Sequence, residues 1–246
     1  MKSLILAAGY GTRLASIAEN TPKPLLPVSG KPLINYIVDK LPGLPGLNEL
    51  FVVTNQKFEK HFQDWAKEMQ KTFPVPITIV NDGTTTPENR LGSVGDIDFA
   101  IKTIGIKDDL FVLGGDNLFD YKLNDFVAFA AKKRSAVTVG LYDIQNLKDA
   151  TMYGVVELGA GGAVVSFEEK PAQPKSTLIS MCCYYFPAET LSYLDQYRKA
   201  SGKMDKAGEY IRWLSEEKQV CGFTFSGKWY DIGSIESYKE AQEKFK

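Results

Sequence analysis

Short apolar runs recur along the first part of the chain, at 2–7, 50–54, 76–80, 109–113 and 136–141. Runs of this length followed by turn-forming residues read as strands. The stretches between them, 10–18, 33–41, 56–72, 93–104 and 122–134, read as helices. The clearest is the third, where Phe58, Phe62, Trp65 and Met69 follow one another at spacings of four, three and four residues. Regular alternation of this kind predicts an α/β fold with right-handed βαβ crossovers and helices on both faces of a mostly parallel sheet. In such sheets a ligand binds beyond the carboxyl ends of the strands. The loops that follow strand ends here are 8–13, 81–92 and 114–120.

The rhythm changes after about residue 150. "YGVVELGAGGAVVSFEEKP" holds two alternating runs around Gly159-Ala160-Gly161-Gly162 and predicts a β-hairpin. A strand at 177–186, helices near 187–199 and 207–218, a strand at 219–225 and a last helix at 234–245 complete the pattern. Neither repeats nor low-complexity tracts interrupt it.

Composition narrows the chemistry. The chain has 246 residues, 44% of them hydrophobic, which suits a single domain. A net charge of −1 gives no global field for nucleic acid or an anionic membrane. The apolar run 4–8 is too short for a signal peptide or a membrane span, so a cytoplasmic location is expected. Cys182, Cys183 and Cys221 contain no CxxC pair and read as packing residues. The single histidine, His61, falls on the helix of 56–72 and reads as a surface or boundary residue, so histidine-based catalysis has no material.

The opening motif is "LILAAGYGTRL", Leu4 to Leu14. Gly9 and Gly11 after a strand let a ligand approach the backbone, a following helix N-terminus favours anions, and Arg13 adds a bidentate donor for phosphate. Leu14 stands where the dinucleotide fingerprint needs its third glycine, and no Gly-Lys-Ser/Thr follows for a P-loop. Lys23 then sits between Pro22 and Pro24, a charge on a stiffened segment.

These residues carry a family resemblance. "LAAGYGTRL" followed by "TPKPLLP" resembles the signature of sugar-1-phosphate nucleotidyltransferases. "LGSVGDI" (91–97) is similar to that family's glycine loop over the base, and "VLGGDNLF" (112–119) to its aspartate-bearing strand end. "YGVVEL" with "SFEEKP" resembles its sugar-binding hairpin, and "GKWYDIGSIESYKEA" its closing aspartate loop and helix. The greatest resemblance is to glucose-1-phosphate thymidylyl- and uridylyltransferases.

The resemblance implies a Rossmann-like, nucleotide-diphospho-sugar transferase fold in one domain. Residues 1–145 would mainly bind nucleotide, and 146–246 mainly the sugar and metal. The implied reaction joins a nucleoside triphosphate and a sugar 1-phosphate into an NDP-sugar and pyrophosphate. The implied nucleotide contacts are Leu6, Ala7, Ala8, Gly9, Gly11, Thr12, Arg13, Asn81, Gly92, Gly95 and Asp116; Arg13 would take the β- and γ-phosphates and Asn81 a pyrimidine edge. The resemblance favours dTTP or UTP with glucose 1-phosphate; thymidylyltransferases tend to carry glutamine where Asn81 stands, and the 82–90 loop is longer here, which keeps CTP, GTP or ATP as the alternative. Asn117, Tyr153, Gly154, Glu169 and Lys170 would hold the sugar phosphate, with Arg13, Lys23 and Lys170 catalytic. Asp116 and Asp231 would hold Mg2+, a hard cation that needs few carboxylates when phosphate and water complete its shell. Without the resemblance each aspartate reads more readily as a helix cap or a turn residue.

The attacking phosphate is already ionised at neutral pH, which agrees with the scarcity of histidine. A sensing subunit that kept the fold and lost turnover is the competing reading. Against it stand Arg13, Lys23, Asp116, Lys170 and Asp231 together, since a silent descendant is free to lose them. The chain stops soon after the 234–245 helix, so a monomer or homodimer is expected rather than a larger assembly.

Overall fold

A computed structural model describes residues 1–14 and 20–245, and the Arg13 side chain lies outside the described part. In chain order the strands are β1 (Lys2–Leu6), β2 (Pro27–Val28), β3 (Lys31–Pro32), β4 (Glu49–Thr54), β5 (Ile77–Asn81), β6 (Leu110–Gly114), β7 (Asn117–Phe119), β8 (Val137–Asp143), β9 (Gly154–Leu158), β10 (Val164–Glu169), β11 (Leu178–Phe186), β12 (Val220–Phe225) and β13 (Trp229–Asp231). The helices are α1 (Leu33–Val38), α2 (Glu59–Met69), α3 (Gly92–Ile104), α4 (Asn124–Lys132), α5 (Leu147–Ala150), α6 (Tyr193–Ser201), α7 (Ala207–Glu217) and α8 (Ile235–Lys244).

The main sheet runs β12-β8-β11-β6-β1-β4-β5, and the β9–β10 hairpin branches from the early part of β11. Pairs β6–β1, β1–β4, β4–β5 and β8–β12 are parallel, and β11 alone reverses direction between β6 and β8. The expected α/β architecture is therefore present, as a mixed and mostly parallel sheet. Its strands alternate between two cores. Ile5, Val52, Phe111 and Leu113 face one side, where Phe62 and Trp65 of α2 and Phe126 of α4 cover them. Leu4, Phe51, Val53 and Val112 face the other, under Ile97 of α3 and Tyr210 and Leu214 of α7. Burial on both faces explains why these strands read as unbroken apolar runs.

A third, smaller core joins the two ends of the chain. Leu14, Leu26, Val28 and Leu33 pack there with Leu118, Ile232, Ala241 and Phe245. The Pro27 carbonyl accepts from Tyr238 Oη at 2.5 Å and Gln242 Nε2 at 2.6 Å, so α8 grips the segment that carries Lys23.

Several boundaries differ from the sequence pattern. The stretch 10–18 forms a 3-10 turn at Thr12–Leu14, and the rest of it, 15–19, lies outside the described residues. The helix expected near 187–199 is a 3-10 turn at Ala188–Thr190 followed by α6; extended Pro187 (ψ 145°) sets its start, and Leu191 and Ser192, both right-handed helical, join the two parts. The two-stranded pairs β2–β3 and β7–β13 were not expected at all. His61 is exposed on α2, its ring edge-on to Phe58, and the three cysteines are free thiols. Among the described residues no helix is long and apolar enough to cross a membrane.

Candidate functional site

The chain reverses its direction of travel across the sheet at β1, going first to β4 and later to β6 on the other side. That switch point opens a crevice at the carboxyl ends of both strands. Leu6, Ala8 and Gly9 of the glycine turn line it. Ala7 points the other way into the core, its N–H bonded to the Val53 carbonyl at 2.9 Å, and Gly11 takes a left-handed φ of 63°.

Lys23 reaches the crevice from the short turn between its prolines. Its Nζ lies 2.6 Å from Asp116 Oδ2, on side chains 16% and 39% exposed. The approach depends on Gly115, where a Cβ would stand 2.8 Å from the Leu6 carbonyl and 3.1 Å from Pro24. Asp231 joins them through β13, which pairs antiparallel with β7 and sets Asp231 opposite Asn117. The Ile232 N–H donates to the Asp116 carbonyl at 3.3 Å. Burial pushes the Cys182 thiol well up, and the charges of Asp116 and then Asp231 push it further, so both carboxylates bear on one spot. The Asn117 amide works as scaffold here: its Oδ1 accepts from Trp229 Nε1 at 2.8 Å and its Nδ2 leans on the Gly114 carbonyl and Asp116.

Two cavities meet at this point. One, about 720 Å³, is lined by Asp116, Asn117, Tyr153, Gly154, Trp229 and Asp231. The other, about 450 Å³, holds the glycine turn, Gly92, Ser93 and Asp96. Asp116, Glu169, Lys170, Cys182 and Gly208 line both and form the shared wall. Lys170 sits there with a left-handed backbone (φ 49°), its N–H held by the Tyr153 carbonyl at 3.0 Å. Strain of this kind in a non-glycine residue concentrates at functional sites. Burial raises the Glu169 carboxyl, while Lys170 and Lys206 pull it back down. Its neighbour Glu168 instead pairs with Lys175 at 3.1 Å on the surface. Tyr153 is pushed up to about 12, first by burial and then by Asp231 and Asp149, so it is a neutral donor at ordinary pH.

The structure does not bring every expected residue in. Asn81 turns its amide toward α2, donating to Gln56 Oε1 at 2.8 Å and Glu59 Oε2 at 2.9 Å, and it is absent from the cavity wall. Gly92 and Gly95 make room for protein rather than for a base. A Cβ on Gly92 (φ 80°) would meet the Asp205 backbone at 2.6 Å, and Gly95 N–H donates to the Met204 carbonyl at 2.7 Å. Gly92 still borders the smaller cavity. Sequence reasoning missed Lys206, Gly208, Asp96 and Trp229, all of which line the cavities. For the first two the sole local signal was a small residue in the first turn of a charged helix, "DKAGEY".

Comparison with known proteins agrees with the fold. The model of the family described as Nucleotidyl transferase matches residues 2–246. A curated relative, the Bifunctional protein GlmU of Methanocaldococcus jannaschii, is 28% identical over 233 residues, covering 95% of this chain and 51% of that protein. The chain thus spans about half the length of that relative. Among solved structures, a protein described as a glucose-1-phosphate thymidylyltransferase from Bacillus anthracis, in complex with a sucrose, superposes with a TM-score of 0.85 at 24% identity, over 99% of this chain and 94% of that one. UDP-glucose pyrophosphorylase complexed with UDP-glucose gives a TM-score of 0.82 at 24% identity, over 98% and 97% of the two chains. With its family model matched from end to end and its sheet shared with those structures, the chain belongs to the nucleotidyl transferase family of enzymes and has the nucleotide-diphospho-sugar transferase fold.

Proposed function

We propose that this chain transfers a nucleotidyl group from a nucleoside triphosphate to a sugar 1-phosphate. The observation that carries the reading is the shared wall: two cavities meet where Lys170, Glu169 and Asp116 face both. A triphosphate laid along the glycine turn and a sugar phosphate lying against Tyr153 and Gly154 would bring their phosphates together there. A phosphate oxygen of the sugar phosphate then attacks the α-phosphorus, and the bond to pyrophosphate breaks. No proton has to move, so the task is positioning and charge stabilisation.

In this reading Arg13 takes the leaving phosphates, Lys23 the α-phosphate, and Lys170 the sugar phosphate. The Glu169 carboxylate accepts from sugar hydroxyls and Tyr153 donates to one. Asp116 and Asp231 suit Mg2+: both carboxylates line the larger cavity, and a hard cation needs few of them when phosphate and water complete its shell. A bound Mg2+ would supply Lewis-acid stabilisation of phosphoryl charge. The motifs favour dTTP or UTP with glucose 1-phosphate.

Pyrophosphate release measured with Mg2+, over the five common triphosphates against a set of hexose 1-phosphates, tests the proposal. Turnover is expected with at least one pair, and best with dTTP or UTP and glucose 1-phosphate. Tight nucleotide binding without turnover on any pair would replace the enzyme by a sensing protein.

The sugar side carries its own prediction. A methyl on Gly208 would run into Glu169 Oε2, the far end of a flexible side chain that can swing aside. Gly208→Ala should therefore raise KM for the sugar phosphate about tenfold, the equivalent of one lost charged hydrogen bond, with a smaller change in KM for the nucleotide. An unchanged sugar KM would remove Glu169 from the site.

A further inference from the structure

Two carboxyl groups beside the nucleotide cavity have no part in the reaction described above. Asp82 follows β5 and Asp96 stands early in α3, only 6% and 7% exposed. Asp82 Oδ1 accepts from the Thr84 N–H at 2.7 Å and from Thr84 Oγ1 at 2.8 Å. Its Oδ2 and Asp96 Oδ1 are buried and have no conventional donor. The two carboxyl groups lie within hydrogen-bonding reach of each other. Buried polar atoms are almost always satisfied, and two ionised carboxylates in contact repel. One proton between them satisfies both atoms at once.

We propose that Asp96 carries a proton and donates it to Asp82, and that this bond locks the walls of the nucleotide cavity together. Three segments would be joined by it. Tyr10 of the glycine turn donates its hydroxyl to Thr84 Oγ1 at 3.0 Å, and Thr84 in turn donates to Asp82. Asp96 then extends the relay from the 82–91 loop into the start of α3. Loss of the proton leaves two facing charges, parts loop from helix and opens the cavity. Nucleotide capture should therefore fail on the alkaline side.

The surroundings set where this happens. Burial raises the Asp96 carboxyl first, the Asp82 charge second and their hydrogen bond third, up to about 8. The other charged groups facing the same cavity are Arg90, Asp205 and Lys206 beside the helix start, Glu169 and Lys170 from the end of β10, and Asp116 after β6. Arg90 is engaged with Asp205 at 3.7 Å and Lys206 with Glu209 at 3.5 Å.

The nucleotide part of this inference rests on the proposed function, and the test has an arm that does not. Calorimetric binding of dTTP, UTP, CTP, GTP and ATP is measured from pH 6.5 to 9.5. For each triphosphate that binds, Kd should be level below pH 8 and rise about tenfold per pH unit above it. Asp96→Asn donates through an amide that does not titrate; it should bind within about threefold of wild type at pH 7 and show no alkaline rise. Asp96→Ala should bind weakly at every pH. Asp82→Asn, which offers the donor from the other side, serves if Asp96→Asn fails to fold.

The second arm is the melting temperature of the free proteins. A carboxyl held above its unfolded value makes the native state bind the extra proton, so its contribution to stability is lost as pH rises from about 4 to about 8. That loss should be present in wild type and missing from Asp96→Asn. An alkaline rise in Kd that persists in the amide variants, or identical melting profiles, overturns the shared proton. Failure of all five triphosphates to bind wild type at pH 7 overturns the nucleotide reading instead, and the melting profiles still decide the proton.

Discussion

Asp116→Asn is expected to lower turnover about a thousandfold while leaving the fold in place, measured as pyrophosphate release at saturating substrates and Mg2+. The substitution keeps the size of the side chain and its contact with Asn117, and it removes one of the two carboxylates proposed to hold Mg2+, the one that lines both cavities. Charge stabilisation at a phosphoryl centre contributes several kcal/mol, and a thousandfold corresponds to about 4 kcal/mol. The cost to stability is of another order. Asp116 is 39% exposed and its ion pair with Lys23 faces the crevice, so breaking the pair costs at most about 1 kcal/mol. A melting temperature within a few degrees of wild type is the expected companion result. Near-normal kcat would remove Asp116 from the reaction and leave it as a turn residue. Asp231→Asn should behave in the same way, because the β7–β13 pairing delivers it to the same spot.

That pairing also marks where the sequence stops being informative. The buried parallel strands were legible because both faces are covered, and their boundaries fall close to the apolar runs. β7 and β13 are three residues each and about 110 residues apart, so neither has a periodic pattern and nothing local announces their contact. Asp231 is singled out by its motif, while the pairing that sets it opposite Asn117, next to Asp116, is visible only in the fold. Asn81 and Asp82 illustrate the same limit at the scale of one residue. Neighbours on an extended segment point to opposite faces, and the ladder continues past Asn81 through the Asp82 N–H to the Thr54 carbonyl at 2.8 Å. Choosing between the two requires knowing which face meets α3, and that is set by packing. From sequence, Gly92 and Gly95 read as letting the nucleotide come close. What approaches is the 204–205 segment, more than a hundred residues later in the chain.

Lys23→Ala is expected to reduce kcat by a hundredfold or more and to shift the melting temperature little. The lysine is held on a turn that begins at Pro22 (φ −62°, ψ 138°) and continues through Pro24, whose ring is buried, so its Nζ is delivered to one place without ordering a flexible loop. In the structure that place is Asp116 Oδ2. An ammonium in such contact with a carboxylate opposes any divalent cation at the same carboxylate. In the proposed reaction a divalent cation held by Asp116 would displace the ammonium, and substrate phosphates would give Lys23 a new partner. Removing Lys23 should therefore have two effects of opposite sign. Catalysis falls, because the charge that draws the α-phosphate toward the sugar phosphate is gone. Binding of Mn2+ or Mg2+ to the substrate-free protein tightens several-fold, because the competing ammonium is gone; calorimetry without nucleotide reads this directly. A merely structural lysine would lose melting temperature and keep its rate. A lysine that serves the phosphate without opposing the cation would lose rate and leave cation affinity unchanged. Loss of rate together with tighter cation binding is the outcome that identifies Lys23 as the group shared between the two reactants and the metal.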